Sequence, residues 1–167
     1  MSTRSLLGFA GILVACVGCD HASKQAAASL LADSVGLELA GGLLRFQLAS
    51  NPGAFLSFGA DLPEGLRSFF LIGLVPLLLA FVCLYFASSA RASRAQLAAL
   101  AVLSGGGFGN WIDRLLHDGA VTDFVSIGFG PFRTGIFNLA DLAVIAGVLW
   151  LLLATRRPEA PSPGQAA

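Results

Sequence analysis

Four groups of polar residues interrupt an otherwise apolar chain, and their types and spacing define the chemistry open to it. Asp123 and Asp141 are 18 residues apart. With about half of that interval as loop or reentrant chain, both reach the same rim of an apolar region. Two carboxylates sharing an apolar site do not both ionise easily, so one keeps its proton. The ionised member can take a proton from water while the neutral one polarises a carbonyl and later protonates an amine. Such an asymmetric pair suits hydrolysis of a peptide bond. Asn138 and Asp141 are three residues apart and share a helix face. So do Asn110, Asp113 and Arg114, at i, i+3 and i+4. Asp20 and Lys24, four apart, can pair on one face as a structural ion pair or as support for a site. No Ser-His-Asp arrangement competes. His21 and His117 lie near the same rim but lack a zinc-ligand spacing such as H-E-x-x-H.

The elements that must hold these groups are membrane helices. Of the 167 residues, 12% are charged and 56% hydrophobic, and the mean hydropathy is +0.78. A soluble domain carries roughly a quarter charged residues. Charge-free stretches run between Arg4 and Asp20, Arg67 and Arg91, Arg94 and Asp113, and Asp141 and Arg156, with lengths of 15, 23, 18 and 14 residues. A spanning helix needs about 20 apolar residues, so the first and last span only by taking in Asp20 and Asp141. The expected spans are 6–29, 67–88, 95–113 and 136–155, with outer loops 33–65 and 114–135. They form one domain over residues 1–157, and no room remains for a separate soluble one. The Pro-containing segment 158–167 reads as a disordered cytoplasmic tail.

Orientation follows the basic residues. Arg4, Arg91, Arg94, Arg156 and Arg157 gather at the N-terminus, the loop after the second span and the C-terminus. An even number of spans puts all three on one side, expected to be cytoplasmic. The zero net charge and the absence of a basic run argue against nucleic acid. The start of the chain, Arg4 followed by Leu6 to Gly18, resembles a signal peptide, and Leu13-Val14-Ala15-Cys16 resembles a lipid-modification box. The apolar character continues to Leu31, so a retained first span is expected. Three cysteines in apolar stretches form no disulfide framework.

Smaller signals refine the picture. Alternation around Gly41-Gly42, in Leu37 to Leu39 and Leu43 to Leu48, reads as a β-hairpin in the first outer loop. Pro76 should kink the second span or be absorbed by neighbouring helices. Gly105 and Gly109 form a small-xxx-small face for close helix packing. Gly105-Gly106-Gly107 lacks the Lys-Ser/Thr of a phosphate loop.

Five pieces together resemble one family. Asp20-His-Ala-Ser-Lys24, Asn51-Pro-Gly-Ala54, Gly105-Gly-Gly-Phe-Gly-Asn-Trp-Ile-Asp-Arg114, Val121-Thr-Asp-Phe124 and Phe137-Asn-Leu-Ala-Asp141 match, in order and interval, the bacterial lipoprotein signal peptidases (signal peptidase II) over residues 6–155. The resemblance implies an all-α inner-membrane aspartic endopeptidase of four transmembrane helices with a small extracytoplasmic β-element, and a site near the outer leaflet. Such enzymes cut diacylglyceryl-modified prolipoproteins before the lipidated cysteine. The catalytic pair corresponds to Asp123 and Asp141. The binding residues correspond to Asn51, Gly53, Asn110, Arg114 and Asn138, with Asp20, Lys24 and Asp113 in supporting roles. No cofactor or metal is implied. Substrate and membrane lipid are the expected partners of a monomer. The chain departs from the family pattern at Phe55-Leu56, His21 and Ser23. The competing class is a small membrane transporter or assembly subunit whose acids form a proton relay or lock helices together. Processing of a lipidated precursor separates the two.

Overall fold

Local sequence sets where the helices begin. Ser2 caps the first, its hydroxyl accepting from the Ser5 amide at 3.2 Å. Ser93 and Gln96 form a reciprocal capping box at the third, with bonds of 3.2 and 2.8 Å. The computed structural model describes residues 2–89 and 92–155. Its helices are α1 (Thr3–Leu31), α2 (Glu64–Ser88), α3 (Arg94–Leu116) and α4 (Leu139–Thr155). The strands are β1 (Leu37–Leu39), β2 (Leu44–Asn51), β3 (Val121–Phe129) and β4 (Phe132–Arg133). Arg91, Arg156, Arg157 and the expected tail 158–167 lie outside the described residues.

Polarity is inverted relative to a water-soluble fold. Phe69, Leu77, Phe81, Leu84, Leu149 and Leu153 are exposed, whereas Asp20, Lys24, Asp113, Asp123 and Asn138 are buried. Apolar side chains gain nothing by leaving lipid, but polar groups must find partners inside. Helices α1 and α2 are long and apolar enough to cross a membrane. Helix α4 is equally apolar but shorter, at 17 residues.

Helix α3 is central because glycines let its neighbours approach. Successive helical residues point about 100° apart, so Gly105, Gly106 and Gly107 face three different helices. A methyl group at Gly105 would lie 2.6 Å from Cys16 Cβ on α1. At Gly106 it would strike the Ala140 carbonyl of α4, and at Gly107 the Leu79 side chain of α2. Gly109, one turn beyond Gly105, makes room for the Asp20 carboxylate.

Pro76 is absorbed rather than left as a defect. The segment Phe69–Leu74 of α2 widens into a π-helix just before it. Pro76 has no N–H to return to the carbonyl of Ile72, four residues earlier. That carbonyl accepts instead from the indole N–H of Trp111 on α3 at 3.0 Å.

The expected hairpin is present, with Leu37 opposite Phe46 and Leu39 opposite Leu44. It is half of a four-stranded antiparallel sheet in the order β1-β2-β3-β4. The outer segment 114–135, expected as loop, therefore supplies two strands, and the chain is not purely helical. The sequence hides β3 because Asp123, Phe124 and Ser126 are all buried, which breaks simple polar-apolar alternation. Arg133 clips the sheet together, donating to the carbonyls of Gly42 at 2.6 Å and Gly128 at 3.0 Å. The sheet packs on the C-terminal end of α1 through Phe124, Ala27 and Leu31.

Candidate active site

Two elements bring the central carboxylates together. Strand β2 pairs with β3 so that Ala49 lies opposite Asp123 and Asn51 opposite Val121, with a bulge between Phe46 and Ala49. Asn51 and Asp123 are thus diagonal neighbours on one face, a separation that side chains can bridge. Asn51 Nδ2 donates to Asp123 Oδ2 at 2.8 Å. Asn138 and Asp141 begin α4 as a reciprocal cap. The Asp141 amide donates to Asn138 Oδ1 at 2.9 Å, and the Asn138 amide to Asp141 Oδ2 at 3.2 Å.

Asparagines then link the acids. Asn138 Nδ2 donates to Asp123 Oδ1 at 2.7 Å, so one side chain bonds to Asp123 and caps the turn carrying Asp141. Asn110 Nδ2 donates to Asp141 Oδ1 at 2.8 Å. Its oxygen accepts from Asn138 Nδ2 at 3.1 Å and from Lys24 Nζ at 2.9 Å. Each oxygen of Asp123 and Asp141 receives one donor, leaving acceptor capacity for water or a proton.

The electrostatics of Asp123 are unequal to those of a surface carboxylate. Burial pushes its carboxyl up to about 6, with the Asp141 charge adding to the rise against hydrogen bonds from Asn51 and Asn138. The side of the site toward α1 is a closed ionic cluster. Lys24 Nζ donates to Asp20 Oδ2 at 2.6 Å and to Asn110 Oδ1 at 2.9 Å, and forms an ion pair with Asp113 Oδ2 at 3.0 Å. Asp20 Oδ1 accepts from the Ala140 amide at 2.9 Å, in the first turn of α4. Asp113 Oδ2 accepts from the Thr122 amide at 3.1 Å, at the start of β3. The cluster thereby ties α1 and α3 to the segments that carry Asp141 and Asp123.

Arg114 reaches the other way. Its Nη2 donates to the Gly53 carbonyl at 2.6 Å and its Nη1 to the Asn110 carbonyl at 3.0 Å. The Gly53 amide donates in turn to Asn51 Oδ1 at 2.9 Å. A Cβ at Gly53 would lie 2.7 Å from the Phe58 carbonyl oxygen, so glycine permits the tight loop.

All ten residues singled out from the sequence thus lie in one hydrogen-bonded network. The backbone amides of Thr122 and Ala140 and the Trp111 indole were not anticipated. His21 Nδ1 is directed to the Val17 carbonyl at 3.1 Å, and its Nε2 lies 3.6 Å from Asp113 Oδ1. His117 Nδ1 is 4.0 Å from the same oxygen. Among the described residues no three His, Cys, Asp or Glu side chains are grouped to hold a metal ion.

A buried pair of carboxylates at one end of an apolar helical fold, two of whose helices are long and apolar enough to cross a membrane, places the chain in the class of membrane proteins with a buried polar site. A family model described as signal peptidase (SPase) II matches residues 12–157, and the chain belongs to that peptidase family. It is 31% identical over 146 residues to the lipoprotein signal peptidase of Sulfurihydrogenibium sp., covering 87% of this chain and 88% of that one. It is 33% identical over 161 residues to the lipoprotein signal peptidase of Azoarcus sp., covering 93% and 89%. A bacterial membrane enzyme solved by the in meso method at 1.9 Å resolution superposes with a TM-score of 0.71 and 28% identity, covering 90% of this chain and 91% of that one.

Proposed function

We propose that Asp123 and Asp141 act as one catalytic unit of a membrane-embedded aspartic endopeptidase. The observation that carries this reading is Asn138, bonded to the Asp123 carboxylate and reciprocally capping the turn of Asp141. One aspartate of the pair holds the shared proton and polarises the scissile carbonyl, while the other, ionised, removes a proton from water as the water oxygen bonds to the carbonyl carbon. When the C–N bond breaks, the departing amine takes a proton from the dyad, and the pair returns to its singly protonated state. Arg114 Nε is buried without a hydrogen-bond partner among the described residues and is suited to receive a substrate oxygen. The segment Asn51 to Ala54, tethered by Arg114, covers the peptide.

The substrate is a diacylglyceryl-modified prolipoprotein, cut before its lipidated cysteine. The names of the relatives support this class, and so does a dyad at the end of apolar helices. The four helices span the inner membrane with both termini cytoplasmic and the dyad near the outer leaflet. The test is purified protein with a lipidated precursor, and with the same precursor lacking lipid, in the absence of ATP and with a chelator. Cleavage of the lipidated form alone is expected. Activity lost to the chelator and restored by zinc would overturn the reading.

A further inference from the structure

At the end of the helices away from the aspartates lies a cavity of about 260 Å³ between the first turns of α1 and α3. Arg4, Ser5, Phe9 and Ile12 line it from α1, and Arg94 and Leu97 from α3. Along α1 the step from Arg4 to Asp20 is 16 residues, as is the step from Arg94 to Asn110 along α3. Both correspond to roughly 24 Å of helix, so the cavity and the dyad face opposite leaflets. It serves no step of the proposed cleavage.

The lining is divided by chemistry. Arg4 and Arg94 stand at the starts of their helices, both are exposed, and neither has a hydrogen-bond or ion-pair partner among the described residues. Phe9, Ile12 and Leu97, further along the same helices, supply the apolar part of the lining. The N-terminal turns of α1 and α3 border the same space and add positive potential. A cavity with unpaired cationic donors and an apolar lining, at membrane-surface depth, complements a molecule with an anionic head and a hydrocarbon tail. A zwitterionic head offers its phosphate only with a cation attached, which two arginines disfavour.

We propose that this cavity binds an anionic phospholipid of the leaflet opposite the catalytic dyad. Its phosphate is held between Arg4 and Arg94, and one acyl chain lies along Phe9, Ile12 and Leu97. Arginine suits this role because its planar fork pairs with phosphate oxygens in a bidentate manner.

The test is native mass spectrometry of the full-length protein released from nanodiscs of phosphatidylglycerol or of phosphatidylcholine with identical acyl chains. Retention of phosphatidylglycerol should exceed that of phosphatidylcholine on the order of tenfold to thirtyfold, given the usual attraction per basic residue near a membrane surface. Arg4→Gln combined with Arg94→Gln should abolish the preference and leave precursor processing in detergent unchanged. Arg4→Lys with Arg94→Lys should keep part of it. Equal retention of the two lipids by the wild type would overturn the proposal without recourse to any variant. So would undiminished preference in the folded double Gln variant. Displacement of the lipid by millimolar inorganic phosphate alone would reassign the cavity to a free anion.

Discussion

Asn138 donates its side-chain amide to Asp123 Oδ1 at 2.7 Å while its own oxygen accepts from the Asp141 backbone at 2.9 Å. One residue therefore fixes both carboxylates at once. Through the backbone bond it also fixes the first turn of α4.

Asp123→Asn and Asp141→Asn should each abolish precursor cleavage while leaving membrane insertion and precursor binding largely intact. Asparagine is nearly isosteric with aspartate but cannot exchange the proton. The double variant should be scarcely slower than either single one, since residues acting as a unit are not additive. Asp118→Asn, outside the network, should retain most activity. Conversion of diacylglyceryl precursor to the mature form, normalised to protein level by immunoblot, measures all four. Substantial turnover by either single variant eliminates the dyad.

The raised carboxyl of Asp123 has a consequence for stability. Its folded value of about 6 exceeds the ordinary value of 3.8. Between those values the folded protein binds more protons than the unfolded chain, so stability falls as pH rises through the window. The loss amounts to at most about 3 kcal/mol, from 1.36 kcal/mol per unit. In Asp123→Asn it should be missing. Thermal melting of both proteins in detergent from pH 3.5 to 8 should show curves that diverge between about 4 and 6 and run parallel above. Parallel curves throughout would mean that Asp123 is not held in an environment hostile to its charge.

Lys24→Ala should cost stability more than chemistry. It leaves the buried Asp20 and Asp113 facing each other without their shared cation, a change worth about 3–5 kcal/mol in other buried ion pairs. Reduced accumulation and a lowered melting temperature are expected. If the variant accumulates and melts like the wild type yet is inactive, Lys24 belongs to the reaction and not to the scaffold.

Trp111→Phe should destabilise by about 1–3 kcal/mol, because the Ile72 carbonyl loses its donor inside the membrane. Pro76→Ala restores a backbone N–H four residues after Ile72. The double variant should therefore be more stable than Trp111→Phe alone, and a melting series of the four proteins gives the coupling. Additive losses would show that the indole does not compensate for the proline.

The apolar stretches and the polar groups at their edges were legible in the sequence by itself, because a charge at membrane depth needs a reason. Asp20 with Lys24, and Asn138 with Asp141, were readable as pairs, since helical spacing of three and four sets neighbours on one face. The hairpin around Gly41-Gly42 was readable from period-two alternation. Tertiary structure decided what those groups meet. The pairing of β2 with β3 joins Asn51 to Asp123 across 72 residues, and Trp111 meets Ile72 across 39. A helix that is apolar all round gives no periodic hint of which face meets which neighbour. Only small residues and buried polar atoms distinguish its directions. The consecutive glycines 105 to 107 opened three directions for packing, and which helix entered each depended on the partners that buried donors and acceptors found across the fold.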